Sequence, residues 1–132
     1  MKYSSVDVAS ICDLVDSFYD RVRDDPQLGP IFNDVIGDNW DAHLQTMVKF
    51  WSSVMLSSGV YKGTPMPKHV VLKDLKEEHF DVWLAHFGAT TQDLFEPVIA
   101  RDFVARAERI AESFKLGMRY ASDQFKIVNA PI

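Results

Sequence analysis

Of the four histidines in the chain, His69 is singled out by what precedes it. Residues 63–72 read Gly-Thr-Pro-Met-Pro-Lys-His-Val-Val-Leu. Pro65 and Pro67 lack an amide donor and push Thr64 and Met66 toward extended backbone, so a helix carrying His69 starts no earlier than about Pro67. An imidazole in a first helical turn, backed by Val70, Val71 and Leu72 after a rigid lead-in, is suited to holding a metal from one fixed direction. The plainer alternative is a core or helix-start histidine, the commoner fate of a lone His beside an apolar run.

Three further side chains could supply the facing wall of a site. His43 shares a helical stripe with Met47, Phe50 and Val54, and a histidine among apolar groups must be hydrogen-bonded, ligated or close to a mouth that admits water. Tyr19 lies four residues after Val15 and three before Val22, so its ring turns partly inward and carries a hydroxyl that needs a partner if buried. Trp83 borders an apolar helix face, and its indole N–H is a donor with no acceptor function, fit for a polarised or anionic ligand atom. Two of them have bland readings as well: a satisfied or half-exposed histidine, and a tyrosine whose oxygen reaches the surface. His79 and His86 fall on the charged flank of the same helix as Trp83 and read as solvated or locally bonded.

The elements that must position these groups are all helical in pattern. Apolar residues at Ile11, Leu14, Val15, Phe18 and Val22 predict a helix over about 5–24, ended by Asp25-Pro26. Pro26, Gly29 and Pro30 leave room for a turn or two around Leu28-Gly29-Pro30-Ile31-Phe32-Asn33, with Phe32 the large side chain delivered inward. Gly37-Asp38-Asn39 offers a stop and a cap before a helix from Trp40 to about Ser58. The connection to the proline stretch has no periodicity, and a linker of that length in a small domain is often functional. Phe80, Trp83, Leu84 and Phe87 mark the next helix. The last begins at Glu96-Pro97 and runs toward Asp123, with Ile99, Phe103, Ala107, Ile110, Phe114 and Met118 as its apolar seam and Arg101, Arg106, Glu108, Arg109, Glu112 and Lys115 as solvated faces. No alternating strand pattern appears, so the expectation is an all-α fold forming one domain over 1–132.

Composition narrows the function classes. A length of 132 residues and 47% hydrophobic content suit one core, and the 12% aromatic share would suit either a large apolar pocket or an aromatic core. A net charge of -5 with no basic run argues against nucleic acid or an anionic membrane as partner. Cys12 is the single cysteine, which rules out an internal disulfide. With no secretory pattern and no membrane-length apolar run, the cytoplasm is the expected compartment.

Taken in order, these residues resemble a family. Phe18-Tyr19 followed by Val22-Arg23-Asp24-Asp25, the Leu28 to Asn33 segment, Trp40 with His43, Phe50-Trp51 with Met55-Leu56, Tyr61-Lys62-Gly63-Thr64-Pro65, Lys68-His69, and His79-Phe80 with Trp83-Leu84 and Phe87 resemble the truncated haemoglobins of group III, from about Ser10 to Arg119. Group III is indicated because the interhelix glycine pairs of other truncated haemoglobins are missing while the distal histidine and later tryptophan are both present. The resemblance implies a truncated globin fold, a two-over-two α-helical sandwich holding haem b. It matches His69 to the proximal iron ligand, Lys68 to a partner of a haem propionate and Phe32 to the haem-packing phenylalanine, and adds Phe50, Trp51 and Tyr61 to the cofactor's surroundings. Tyr19, His43, Met47 and Trp83 match the distal, ligand-stabilising positions. Met47 departs from the smaller or branched residues common there and could shrink the pocket or touch the ligand.

What the resemblance implies about function is a haem protein that binds, and could transport, dioxygen, with carbon monoxide and nitric oxide as related ligands, at a six-coordinate iron with polar distal stabilisation. His43 would act as a gate or bind the iron itself. An alternative is a haem enzyme that detoxifies nitric oxide or peroxide, which would need a separate reductase because the chain carries no flavin site. A second alternative is a haem-free helical interaction module. A monomer is expected.

Overall fold

Asp7 caps the first helix, α1 (Val8–Asp24), which starts three residues later than the apolar pattern alone suggests. Its carboxylate accepts the Ser10 amide at 2.8 Å while the Ser10 hydroxyl accepts the Asp7 amide at 2.9 Å, a reciprocal cap that satisfies two otherwise orphaned donors. The structure, a computed structural model, describes residues 2–57 and 76–124, those from 119 on by backbone alone. The expectations for the proline lead-in, Tyr61, Lys68 and His69 lie outside the described residues.

Asp25 ends α1 in extended backbone, as the residue before Pro26 should. Its Oδ1 then accepts the amides of Gln27 at 2.7 Å and Leu28 at 2.9 Å, opening α2 (Leu28–Ile36). This helix is longer than the one or two turns expected. Pro30 is its third residue, where the amide has no intrahelical partner to lose, so the proline does not interrupt it. Gly29 lets the two helices touch, since a Cβ there would lie 2.4 Å from the Arg23 carbonyl oxygen. Gly37 stops α2 at φ 56°, a left-handed value that favours glycine.

Next come α3 (Trp40–Leu56), α4 (Glu77–Leu94) and α5 (Pro97–Gln124). Asn39 precedes α3, but its side chain makes no capping bond; only its carbonyl joins the ladder, accepting the His43 amide at 3.0 Å. At the start of α4 the Lys76 amide donates to His79 Nδ1 at 2.8 Å, the local bond expected of that histidine. Phe95 and Glu96 alone separate α4 from α5, and so short a link makes the two antiparallel neighbours. Tyr3 closes the corner by pairing with Leu94 and Glu96 through backbone hydrogen bonds of 2.7 and 3.0 Å.

The described residues contain five helices and no strand beyond the single Tyr3–Phe95 bridge. The chief packing is α1 on α3, α4 on α5, and α1 across α4, which makes two helix pairs laid one over the other. Between the pairs runs an aromatic core. Phe87, 1% exposed, is stacked with Trp51 at 5.0 Å and with Trp83 at 5.7 Å, while Phe18 meets it edge-on at 5.2 Å. Phe103 joins from α5, 4.8 Å from Phe95.

Two residues of the last helix behave differently from the solvated faces expected of them. Arg106 donates to the Val54 carbonyl at 2.9 Å, holding α5 against α3, and the Lys115 amine is largely covered between Asp81 at 3.4 Å and Glu112 at 3.8 Å. Their long stems lie along apolar surface while the charged ends find oxygen. The seam itself is rotated slightly, with Ala100, Phe103, Ala107, Ala111 and Phe114 buried and Ile99, Ile110 and Met118 half-buried at its margin. None of the described helices is long and apolar enough to cross a membrane.

Candidate functional site

Tyr19 and His43 are brought together. One turn after Val15, α1 delivers the Tyr19 ring, 5% exposed, against the His43 ring of α3, with centroids 5.1 Å apart and planes at 86°. Trp40, one turn before His43, completes a triangle at 5.8 Å from Tyr19 and 5.6 Å from His43. Met47, one turn beyond His43, is 7% exposed and continues the same stripe.

Trp83 reaches this wall from α4. It lies nearly parallel to Phe87, with planes 7° apart, and meets Phe18 edge-on at 5.5 Å. Phe18 in turn contacts Tyr19 at 4.9 Å. Adjacent α1 residues therefore link the tyrosine to the tryptophan. Phe32 is 6% exposed on α2. Phe50 is half-buried and meets Trp51 edge-on at 5.4 Å, whereas Trp51 itself belongs to the stack with Phe87 and to a contact with Phe103 at 5.9 Å.

The electrostatics of the wall are set by burial. Loss of water raises the Tyr19 phenol well above its ordinary value, so it remains a hydroxyl donor throughout the working pH range. The same effect pushes His43 down to about 4, leaving the imidazole neutral near pH 7. Its Nε2 is buried with no hydrogen-bond partner among the described residues. A polar atom in that state costs on the order of 1–3 kcal/mol, which is hard to reconcile with a residue that only fills the core. A wall with two or three hydrogen-bonding groups set in aromatic and thioether surface is what a small polar molecule on an apolar cofactor requires.

A second contact ties the helices that carry this wall. Asp25 Oδ2 lies 2.7 Å from His86 Nε2, joining the α1–α2 corner to α4 one turn after Trp83. Burial tends to raise the Asp25 carboxyl, but the His86 bond and the Leu28 and Gln27 amides outweigh it and hold the group below its usual range. His86 was expected to be solvated or bonded locally; its partner is 61 positions away in sequence.

Comparison with known proteins bears on this geometry directly. A family pattern described as bacterial-like globin matches residues 4–114. The chain belongs to the bacterial-like globins. Haem binding and the capture of small diatomic ligands follow from that membership. A curated relative, the group 3 truncated haemoglobin of Campylobacter jejuni, is 34% identical over 118 residues, covering 87% of this chain and 93% of the relative. The crystal structure of the group III truncated haemoglobin from Campylobacter jejuni superposes with a TM-score of 0.83 at 34% identity, covering 87% and 93% of the two chains. The two-over-two globin fold expected from the sequence is therefore the fold observed.

Sequence reasoning named Tyr19, His43, Met47 and Trp83 as candidates and gave no role to Arg23 or Asn33. The Arg23 guanidinium lies 4.5 Å from the centre of the Trp40 ring, and the Trp40 indole N–H donates to Asn33 Oδ1 at 2.9 Å. A signal was present. Tyr19 and Arg23 are four apart on α1, and Trp40, His43 and Met47 follow at three and seven on α3, so the two stripes face each other.

Proposed function

We propose that this globin holds haem b through His69 on one side, with Lys68 paired to a propionate and Phe32, Phe50, Trp51 and Tyr61 against the macrocycle, and that Tyr19, His43, Met47 and Trp83 form the facing wall. The observation that carries this reading is the buried Nε2 of His43 beside the Tyr19 ring, without a partner among the described residues. When bound, haem supplies a ferrous iron whose sixth position exchanges dioxygen, carbon monoxide or nitric oxide.

The chain's own residues decide what happens to such a ligand. The Tyr19 hydroxyl and the Trp83 indole N–H are donors, and donors in a site shielded from water stabilise partial negative charge more strongly than they would in solvent. Neutral His43 carries one donor and one acceptor nitrogen, so it can hydrogen-bond a ligand or fill the sixth position when no gas does. Phe18 closes the wall between Tyr19 and Trp83 and keeps water from competing with them. Met47 adds a flexible, polarisable side chain that sets how much room remains.

Tyr19→Phe tests the assignment, since it removes one hydroxyl and keeps the ring contacts. Oxygen dissociation should quicken by about tenfold, the effect of losing one well-placed hydrogen bond of about 1.4 kcal/mol. An unchanged rate would take Tyr19 out of ligand stabilisation.

A further inference from the structure

Neither ring of the Tyr19–His43 pair is fixed by a side-chain hydrogen bond among the described residues, yet both meet one neighbour, Trp40, at 5.8 and 5.6 Å. Trp40 is itself held from three helices. It is the first residue of α3, Arg23 from the last turn of α1 lies over its ring at 4.5 Å, and Asn33 from α2 accepts its indole N–H at 2.9 Å. The ring is 6% exposed, whereas Arg23 and Asn33 are exposed at the protein surface.

Resting on the function proposed above, we infer that Arg23 and Asn33 are positioning residues that clamp Trp40 and, through its ring, set the orientations of Tyr19 and His43 toward the ligand. A core tryptophan needs apolar cover and one acceptor for its indole N–H, and buried indoles ordinarily find one. This tryptophan has, in addition, a cation over its face, an arrangement that resists tilting of the ring because the attraction depends on its facing the guanidinium. The direction of the restraint matters. Asn33 fixes rotation in the ring plane, Arg23 fixes tilt, and Tyr19 and His43 pack against the ring so held. Side chains lacking hydrogen bonds of their own take their orientation from packing. The clamp also works from outside: surface residues reach the ligand wall through one buried ring without entering it.

The test uses the haem-loaded, full-length protein in its ferrous carbon monoxide form, read by infrared spectroscopy of the C–O stretch, which reports the polar groups facing the ligand. Asn33→Leu and Arg23→Met alter exposed positions and leave the core intact. Each should replace a single dominant band with two or more, and oxygen dissociation should quicken about three- to tenfold, as expected when one donor is only partly aligned. Arg23→Lys keeps a cation able to lie over the ring and should restore the single band, as should Asn33→Asp, which keeps the acceptor. A second readout, solvent exchange of the Trp40 indole proton, should be faster in Asn33→Leu. Variants that free the indole proton while leaving the C–O band and the dissociation rate unchanged would overturn the clamp alone. An unmodified protein giving no carbonyl band would overturn the function on which the clamp rests, and the clamp with it.

Discussion

About two turns beyond Trp83 on α4, the buried residues Thr90 and Thr91 donate their hydroxyls to the carbonyls of His86 at 2.7 Å and Gly88 at 2.9 Å. Between α1 and α3, by contrast, the buried Nε2 of His43 has no partner among the described residues. Both regions are built from aromatic rings in contact, Phe87 with Trp51, Trp83 and Phe103 in one, Tyr19 with Trp40 and His43 in the other. The difference lies in how their polar atoms are treated. In the first region the buried threonine hydroxyls are satisfied within α4, and the Phe87 stack beside them serves stability. The second leaves a buried nitrogen without a partner among the described residues, and it does so beside the Tyr19 ring, which Phe18 links to Trp83.

Two substitutions sharpen the contrast. Phe87→Ala should cost about 3–5 kcal/mol in chemical unfolding, because it removes the ring on which Trp51, Trp83, Phe18 and Phe103 all pack. A loss of under about 1 kcal/mol would mean that the stack is not the stabilising region. A smaller and opposite effect is expected at the Tyr19–His43 wall. His43→Leu replaces the unpartnered nitrogen with carbon and should raise stability near neutral pH by about 1 kcal/mol, part of the cost of an unsatisfied buried group. The pH dependence carries the sign. His43 is held at about 4, below its ordinary 6.5, so the unfolded chain binds this proton more readily. Stability is therefore lost as the pH falls from about 6.5 toward 4, and that slope should vanish in His43→Leu. Asp25, lowered from 3.8, adds a loss only at still lower pH, so the two contributions separate. A slope that persists in His43→Leu would show that the imidazole is not the uncompensated group.

Much of this arrangement was legible because it follows from local periodicity. The apolar stripes of α1, α3, α4 and α5 fixed which faces turn inward, and the spacing of His43 and Met47 put a histidine on a buried stripe. Contacts between residues far apart in sequence were not legible. Nothing local says that His86 reaches Asp25, that Arg106 reaches the Val54 carbonyl, or that Lys115 lies between Asp81 and Glu112. Those depend on how helices cross, which periodicity does not specify. Pro30 misled for a related reason: a proline reads as a breaker until its place within the first helical turn is known. Trp51 showed an ambiguity of type. Aromatic residues suit a cofactor pocket and a core equally, and the stack with Phe87 shows only that this one is built into the core.

The account depends most on His69 gripping haem opposite the Tyr19–His43 wall, and the visible absorption spectrum of His69→Gly tests that most directly. The unmodified protein should show a strong haem band that shifts with carbon monoxide in the ferrous state; in His69→Gly the band should weaken and return when imidazole is added. A haem band of full strength in His69→Gly, unaffected by imidazole, would contradict the account.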